Sequence, residues 1–247
     1  VKVAAALDHR VVSLKSAKRW DAFDAYLFDI DGTLLRAMGG VHNDAFADSV
    51  REVLAREISL EKVILHGNTD TRILAQAFEH AGIERSEWEP YRQVILDRMS
   101  EVVEARRARI EILMMPGIHE ALAHLQQRRK TLGVATGNLE RIGWLKVELA
   151  GLRSYFTFGG FSDRFEDRGA LIGAAAARAR EIAGPASSVC VVGDTPSDIA
   201  AARANGLPVI AVATGAYSLD DLLQHQPDIA ATSMQALLEG SYAKPGS

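Results

Sequence analysis

Four short apolar runs rich in β-branched residues, at positions 26–30, 131–136, 188–193 and 208–212, alternate with segments of helical period. After the Pro116-Gly117 turn, Ile118, Ala121, Leu122 and Leu125 recur at i, i+3, i+4 and i+7, the stripe of an amphipathic helix. Residues 171–182 are alanine-rich and read as a helix stopped by Gly184-Pro185. Residues 199–205 read as another, closed by Gly206 with Pro208 just beyond. Strands that are apolar throughout and separated by helices predict an α/β fold, a mostly parallel sheet covered on both faces.

One segment breaks this rhythm. Between Leu35 and Met115 no buried strand is evident, and helices are predicted around 43–57, 69–80 and 87–107. The expected organisation is an N-terminal extension (1–24), a core formed by 25–35 and 116–247, and a small helical cap formed by 36–115, packed as its own bundle. Within the extension, residues 1–12 could form a strand and 13–24 a surface helix or connector. No function attaches to them.

Composition narrows the class. With 247 residues, 48% hydrophobic and 24% charged, the chain has an ordinary globular balance and enough apolar residues for a sizeable core. A net charge of −4 without a basic tract gives no nucleic-acid footprint. The single cysteine, Cys190, lies in an apolar run and reads as a buried hydrophobe. It can form no internal disulfide, which fits a reducing compartment. No apolar run reaches the length of a membrane span, and Asp8, His9 and Arg10 interrupt the N-terminus too early for a secretory segment. A cytoplasmic protein is expected, with no membrane or nucleic-acid partner.

The candidate chemistry begins with Leu27-Phe28-Asp29-Ile30-Asp31-Gly32-Thr33-Leu34-Leu35. In a regular strand Asp29 and Asp31 would share a face, and two carboxylates held close in a dry place need a cation or a proton between them. Ligands in an open α/β sheet bind beyond the carboxyl ends of strands. Other strand ends supply Thr136-Gly137-Asn138 and Gly193-Asp194-Thr195-Pro196-Ser197-Asp198, with Asp163 and Arg168 ahead of the latter. Carboxylates from separate strands make a hard oxygen site that suits Mg²⁺ and a substrate phosphate. Gly32, Thr33, Thr136, Gly137 and Asn138 are candidates to hold the phosphate, and Arg168 or alternatively Lys146 to neutralise it. Asp29 is the candidate nucleophile, forming an aspartyl-phosphate, and Asp31 the candidate acid–base, with its pKa expected to be raised by desolvation and nearby charge. Asp29, Asp31, Asp194 and Asp198 are the candidate metal ligands.

These motifs, in this order, resemble the haloacid dehalogenase superfamily of phosphohydrolases. Gly137-Asn138-Leu139-Glu140, Leu145-Lys146, Ala150-Gly151-Leu152, Tyr155-Phe156 and Ala211-Val212-Ala213-Thr214-Gly215 are similar to its phosphoglycolate-phosphatase-like group. The resemblance implies a Rossmann-like three-layer core with a helical cap inserted after the first motif, Mg²⁺, and a small phosphorylated metabolite as substrate; a monomer or homodimer is expected. One departure concerns the third motif, where the group usually offers lysine followed by proline; here Phe161 to Arg168 contains no lysine. Arg168 is the first candidate for that cation and Lys146 the substitute, an exchange that replaces a point charge with a planar fork.

Simpler readings stand beside these. Asp198 closes a capping box after Thr195, and Asn68, Thr69 or Asp70 caps a helix in the turn 66–72. His119 and His124 read as surface residues. His42 and Thr69 are candidates to face the substrate from the cap. The alternatives to a phosphatase are a sugar-phosphate mutase on the same scaffold and a non-catalytic binding or regulatory protein. A dehalogenase is disfavoured by Asp31, and a phosphonate-cleaving enzyme by a cap whose sole lysine, Lys62, precedes an apolar run.

Overall fold

The first of the four runs becomes an interior strand of the main sheet. In a computed structural model describing residues 10–13, 19–240 and 242–243, β2 (Ala25–Phe28) is wholly buried. It pairs in parallel with β5 (Thr131–Ala135) on one side and β7 (Val189–Gly193) on the other. The sheet continues through β8 (Val209–Val212) and β9 (Ile229–Ala231) on the β7 side and ends at β6 (Phe158–Gly160) beyond β5. β1 (Val11–Ser13) joins antiparallel to β9, and β10 (Tyr242–Ala243) closes that edge. The expected strand over 1–12 lies outside the described residues except at its end, and residues 14–18 of the expected connector are likewise outside them.

Alternation along β2 sorts the core into two layers. Tyr26 and Phe28 pack with Ile118, Leu122 and Leu125 of α5 (Ile118–Gln127) and with α10 (Met234–Glu239). Ala25 and Leu27 face the other way, against α7 (Arg168–Ala183) and α8 (Pro196–Ala204). This is the three-layer Rossmann-like α/β architecture. Burial of side chains such as Phe28 stabilises it, each worth about 3–5 kcal/mol against truncation to alanine. The short α9 (Leu219–Gln224) precedes β9.

Between β2 and α5 the chain builds a different unit. An antiparallel ribbon, β3 (Leu35–Met38) with β4 (Glu111–Met114), brackets α1 (Val41–Leu54), α2 (Asp70–His80), α3 (Arg85–Trp88) and α4 (Arg92–Ala105). The ribbon adds two short strands to a segment in which no buried strand is expected. Apart from the buried Leu35, its residues alternate between half-buried and exposed, so it lacks the continuous apolar signature of a buried strand. The single helix expected over 87–107 is divided at Pro90, which has no N–H to donate, by a 3₁₀ turn at Glu89–Tyr91.

Phe46, Phe78, Trp88, Ile95 and Met99 centre the helical unit's core, with the Phe78 and Trp88 rings stacked at 4.8 Å. That core is not closed on itself, as an independent bundle would require. Leu139, preceding α6 (Glu140–Leu149), together with Ile142 and Leu145 of α6, belongs to the same cluster.

The loop before α2 also locks into the Rossmann-like layer. A Cβ on Gly67 would lie 2.7 Å from Ser197 Oγ, and one on Gly137 would lie 2.2 Å from the Asn68 carbonyl oxygen. Asp70 N donates to the Gly137 carbonyl at 2.7 Å, and Thr69 and Thr71 hydroxyls donate to the Glu166 and Phe165 carbonyls, each at 2.8 Å.

Candidate active site

Strand order reverses at β2, and the ends of β2, β5 and β7 open there into a cleft of about 290 Å³ beneath the helical unit. Asp29, Asp31, Gly32, His42, Thr136, Gly137, Asn138, Lys146, Arg168 and Asp194 all line it.

Asp29 and Asp31 do not share a face. β2 ends at Phe28, so both acids lie beyond regular strand geometry, and each meets its own cation. Arg168 Nη2 is 3.0 Å from Asp29 Oδ1 and 2.6 Å from Asp198 Oδ1. Lys146 Nζ is 2.7 Å from Asp31 Oδ2. Both candidate cations thus stand in the site, Arg168 at Asp29 and Lys146 at Asp31.

Around Asp29 the charges do not balance. Asp29, Asp194 and Asp198 bring carboxylate oxygens within 4.8 Å of one another, all buried, against the single Arg168 guanidinium. Burial first, then Asp198 and Asp31, push Asp29 up to about 6 despite Arg168. Burial and the charge of Asp29 raise Asp194 to about 8. The cluster lacks the positive charge that a divalent cation would supply, and three oxygen donors of this kind fit such an ion.

Asp194 is held in place by close backbone approach. Thr33 Oγ1 donates to its Oδ1 at 2.9 Å, and a Cβ on Gly32 or Gly215 would come within 2.3 Å and 1.7 Å of its Oδ2. Gly32 also has φ +87°, which L side chains rarely adopt. Thr33 is fully buried and outside the cleft lining, so its hydroxyl orients Asp194; this corrects its assignment to phosphate binding. Asp198 has two attachments, accepting from Thr195 N at 3.1 Å as the N3 residue of a capping box and from Arg168. Asp163, noted beside this motif, caps α6 instead, accepting from Glu140 N at 2.8 Å.

Asp31 sits in a second network. Its Oδ2 accepts from Lys146 and, at 2.8 Å, from Asn138 Nδ2; Asn138 Oδ1 accepts from Lys146 at 2.8 Å. Burial alone would raise the Asp31 pKa, but the Lys146 ammonium and these donated bonds bring it below the ordinary carboxylate range. The expectation of a raised value is therefore corrected. Its carboxylate turns to Lys146 and lies outside the three-acid cluster. The Asn138 side-chain amide donates to Asp31 and, at 2.7 Å, to Thr136 Oγ1, and its backbone N–H lies 3.3 Å from the same hydroxyl.

The helical unit reaches this network through His42. A lysine ammonium has no lone pair, so His42 Nδ1, 3.2 Å from Lys146 Nζ, accepts, and Nε2–H donates to Asp70 Oδ2 at 3.0 Å. Asp70 Oδ2 also accepts from Leu139 N at 2.8 Å. His42 thus orients Lys146 and has no nitrogen free for substrate. Thr69 caps α2, accepting from Arg72 N at 3.2 Å, and its hydroxyl is buried; the simpler reading prevails over a substrate contact. His124 is also more than a surface residue, lying 2.9 Å from buried Asp21.

Sequence reading missed Asp70 as part of the site and the role of Gly215. Asp70 looked like a helix cap, and its partners lie 28 and 69 positions away. Gly215 appeared only within a motif, with nothing in the chain to reveal Asp194 beside it.

Comparison with known proteins gives the family and the fold. A family model described as "haloacid dehalogenase-like hydrolase" matches residues 23–206. A phosphoglycolate phosphatase from Mesorhizobium japonicum is 24% identical over 85% of this chain and 91% of its own. Among solved structures, one described as a phosphatase from Clostridium acetobutylicum is similar with a TM-score of 0.64 at 19% identity, covering 88% of this chain and 97% of that one. One described as a beta-phosphoglucomutase from Thermotoga maritima gives 0.53 at 20% identity, covering 88% and 97%. At these identities the structural likenesses concern the fold.

Proposed function

Because the chain belongs to the haloacid dehalogenase-like hydrolases, within their phosphoglycolate-phosphatase-like group, we propose that it is a divalent-metal-dependent phosphatase acting on a small phosphorylated metabolite. The observation that carries this reading is the division of the two acids: Asp29 beside Arg168 in the cation-poor cluster, Asp31 beside Lys146. Asp29, Asp194 and Asp198 would hold Mg²⁺, which when bound would neutralise charge on the carboxylates and the phosphoryl group.

Asp29 attacks phosphorus, the ester oxygen departs, and an aspartyl-phosphate remains. Arg168 faces the attacking carboxylate and offsets the repulsion between two anions. Asp31 rests ionised, ready to accept a proton from the water that hydrolyses the intermediate. To protonate the departing oxygen it must first take up a proton, which an approaching phosphate dianion favours by raising its proton affinity. The Thr136-Gly137 turn lines the floor beside them. The helical unit, closed over the cleft through Gly67 and Asp70, excludes bulk water.

A sugar-phosphate mutase would have to hold a second phosphoryl group; Arg168, Lys146 and His42 already have protein partners, which leaves that role to the exposed Arg36 and His66 of the cleft lining. A cytoplasmic setting, the division into core and cap, and a monomer or homodimer belong to the same proposal. The test is phosphate release from phosphorylated metabolites with and without Mg²⁺. Release should require the ion, and Asp29→Asn should lower kcat by about 10⁴-fold or more. Near-normal turnover in that variant refutes the reading.

A further inference from the structure

Three consecutive buried residues, Thr69, Asp70 and Thr71, begin α2, and their polar atoms reach two separate segments. Asp70 turns to His42, which holds Lys146. Thr69 and Thr71 instead hold the connector between the 3₁₀ turn at Ser162–Arg164 and α7, through the Glu166 and Phe165 carbonyls. The Thr69 hydroxyl already has a local task, capping α2. Thr71 lies at the second helical position, beyond the cap, and gives its one proton to Phe165 at 2.8 Å. The first backbone bond of α7 runs from Leu171 N to Asp167 O, so neither connector carbonyl belongs to that helix. Arg85 of α3 adds an ion pair to Glu166 at 2.6 Å, but both side chains are partly in water, where such a pair contributes little. The buried hydroxyls carry the tie.

The connector leads directly into Arg168, whose guanidinium is divided between two carboxylates. Nε and Nη2 both reach Asp198 Oδ1, at 3.0 and 2.6 Å, whereas a single contact of 3.0 Å reaches Asp29 Oδ1. If the connector relaxed, the doubly held side would prevail and the guanidinium would withdraw from Asp29. Building on the phosphatase reading, we propose that Thr71 is a positioning residue: from the helical unit, its hydroxyl fixes the connector that presents Arg168 to Asp29. One turn of α2 thereby sets both cations of the site, Lys146 through Asp70 and His42, and Arg168 through Thr71.

The experiment compares Thr71→Val, which removes the donor and keeps the branched shape, with Thr71→Ser, which keeps the donor. In the full chain with Mg²⁺ and 4-nitrophenyl phosphate, Thr71→Val should lower kcat about tenfold with KM changed less than about twofold. Thr71→Ser should stay within about twofold of the unaltered chain in both. Calorimetric titration with orthovanadate and Mg²⁺ reads the site without turnover, and an unfolded fraction alters its stoichiometry but not its Kd. That Kd should rise about tenfold in Thr71→Val, yet change less than about twofold when Thr71→Val is added to Arg168→Ala. An unchanged kcat in Thr71→Val, a serine variant no better than the valine one, or a valine effect on Kd that persists in Arg168→Ala overturns the proposal and leaves the phosphatase reading standing. No phosphate release from the unaltered chain defeats both.

Discussion

Lys146 acts on Asp31 through a 2.7 Å contact between residues 115 positions apart, and that contact sets the protonation state in which Asp31 waits. In Lys146→Met the carboxyl loses the largest charge holding its pKa down, so its pKa rises. The step that needs ionised Asp31 then fails at low pH first. The acidic limb of the kcat profile should move to higher pH, with up to about 100-fold loss at pH 6. An unmoved limb would show that Asp31 does not carry the titration. Gly215 gives a second residue-scale prediction. A methyl group there has to displace Asp194, whose Oδ2 would lie only 1.7 Å away. Gly215→Ala should weaken Mg²⁺ binding by about 10–100-fold, read by titrating the ion against activity or heat, with the far-ultraviolet spectrum unchanged.

At the scale of elements, α2 joins the helical unit to the site, and its first turn determines how well. Thr69 caps it and donates to the Glu166 carbonyl at 2.8 Å, while Asp70 holds His42 and Leu139. Thr69→Ala should cost about 1 kcal/mol in denaturant unfolding, the usual loss for a capping hydroxyl. Helices with strong punctuation were legible in the chain: Gly184-Pro185, Gly206 and the Thr195–Asp198 box each mark a boundary that the structure contains. The buried strands were legible because a strand covered on both faces is apolar throughout. Strands of three residues, such as β6 and β9, and the half-exposed β3–β4 ribbon carry too little pattern to be read. The acids, glycines and Arg168 were visible as motifs, whereas the pairings Lys146–Asp31 and His42–Asp70 arise from tertiary packing and leave no periodicity behind.

For the whole molecule, the cation-poor cluster makes stability depend on pH and metal together. Asp29 and Asp194 have folded pKa values raised to about 6 and about 8, above their unfolded values near 3.8. Such groups favour the folded state fully below the unfolded pKa and lose that contribution as pH rises through the folded one. Metal-free protein should therefore show a Tm that falls between pH 5 and pH 8.5. Mg²⁺ should raise Tm more at pH 8 than at pH 5, with stabilisation of about 2.7 kcal/mol at a concentration 100 times its Kd. A metal-independent, flat Tm over this range would place the ion elsewhere.

The sharing of Leu139, Ile142 and Leu145 with the apolar cluster of Phe46 and Met99 has a practical bearing on engineering. Excising residues 36–115, or grafting them onto a relative, would strip a greasy face from both pieces. A chimera intended to exchange substrate preference has to carry the matching side of α6 along with the transplanted helices, and Lys146 travels on that same helix. Recombination breakpoints placed after Leu149 should thus yield soluble hybrids more often than breakpoints placed at Met115.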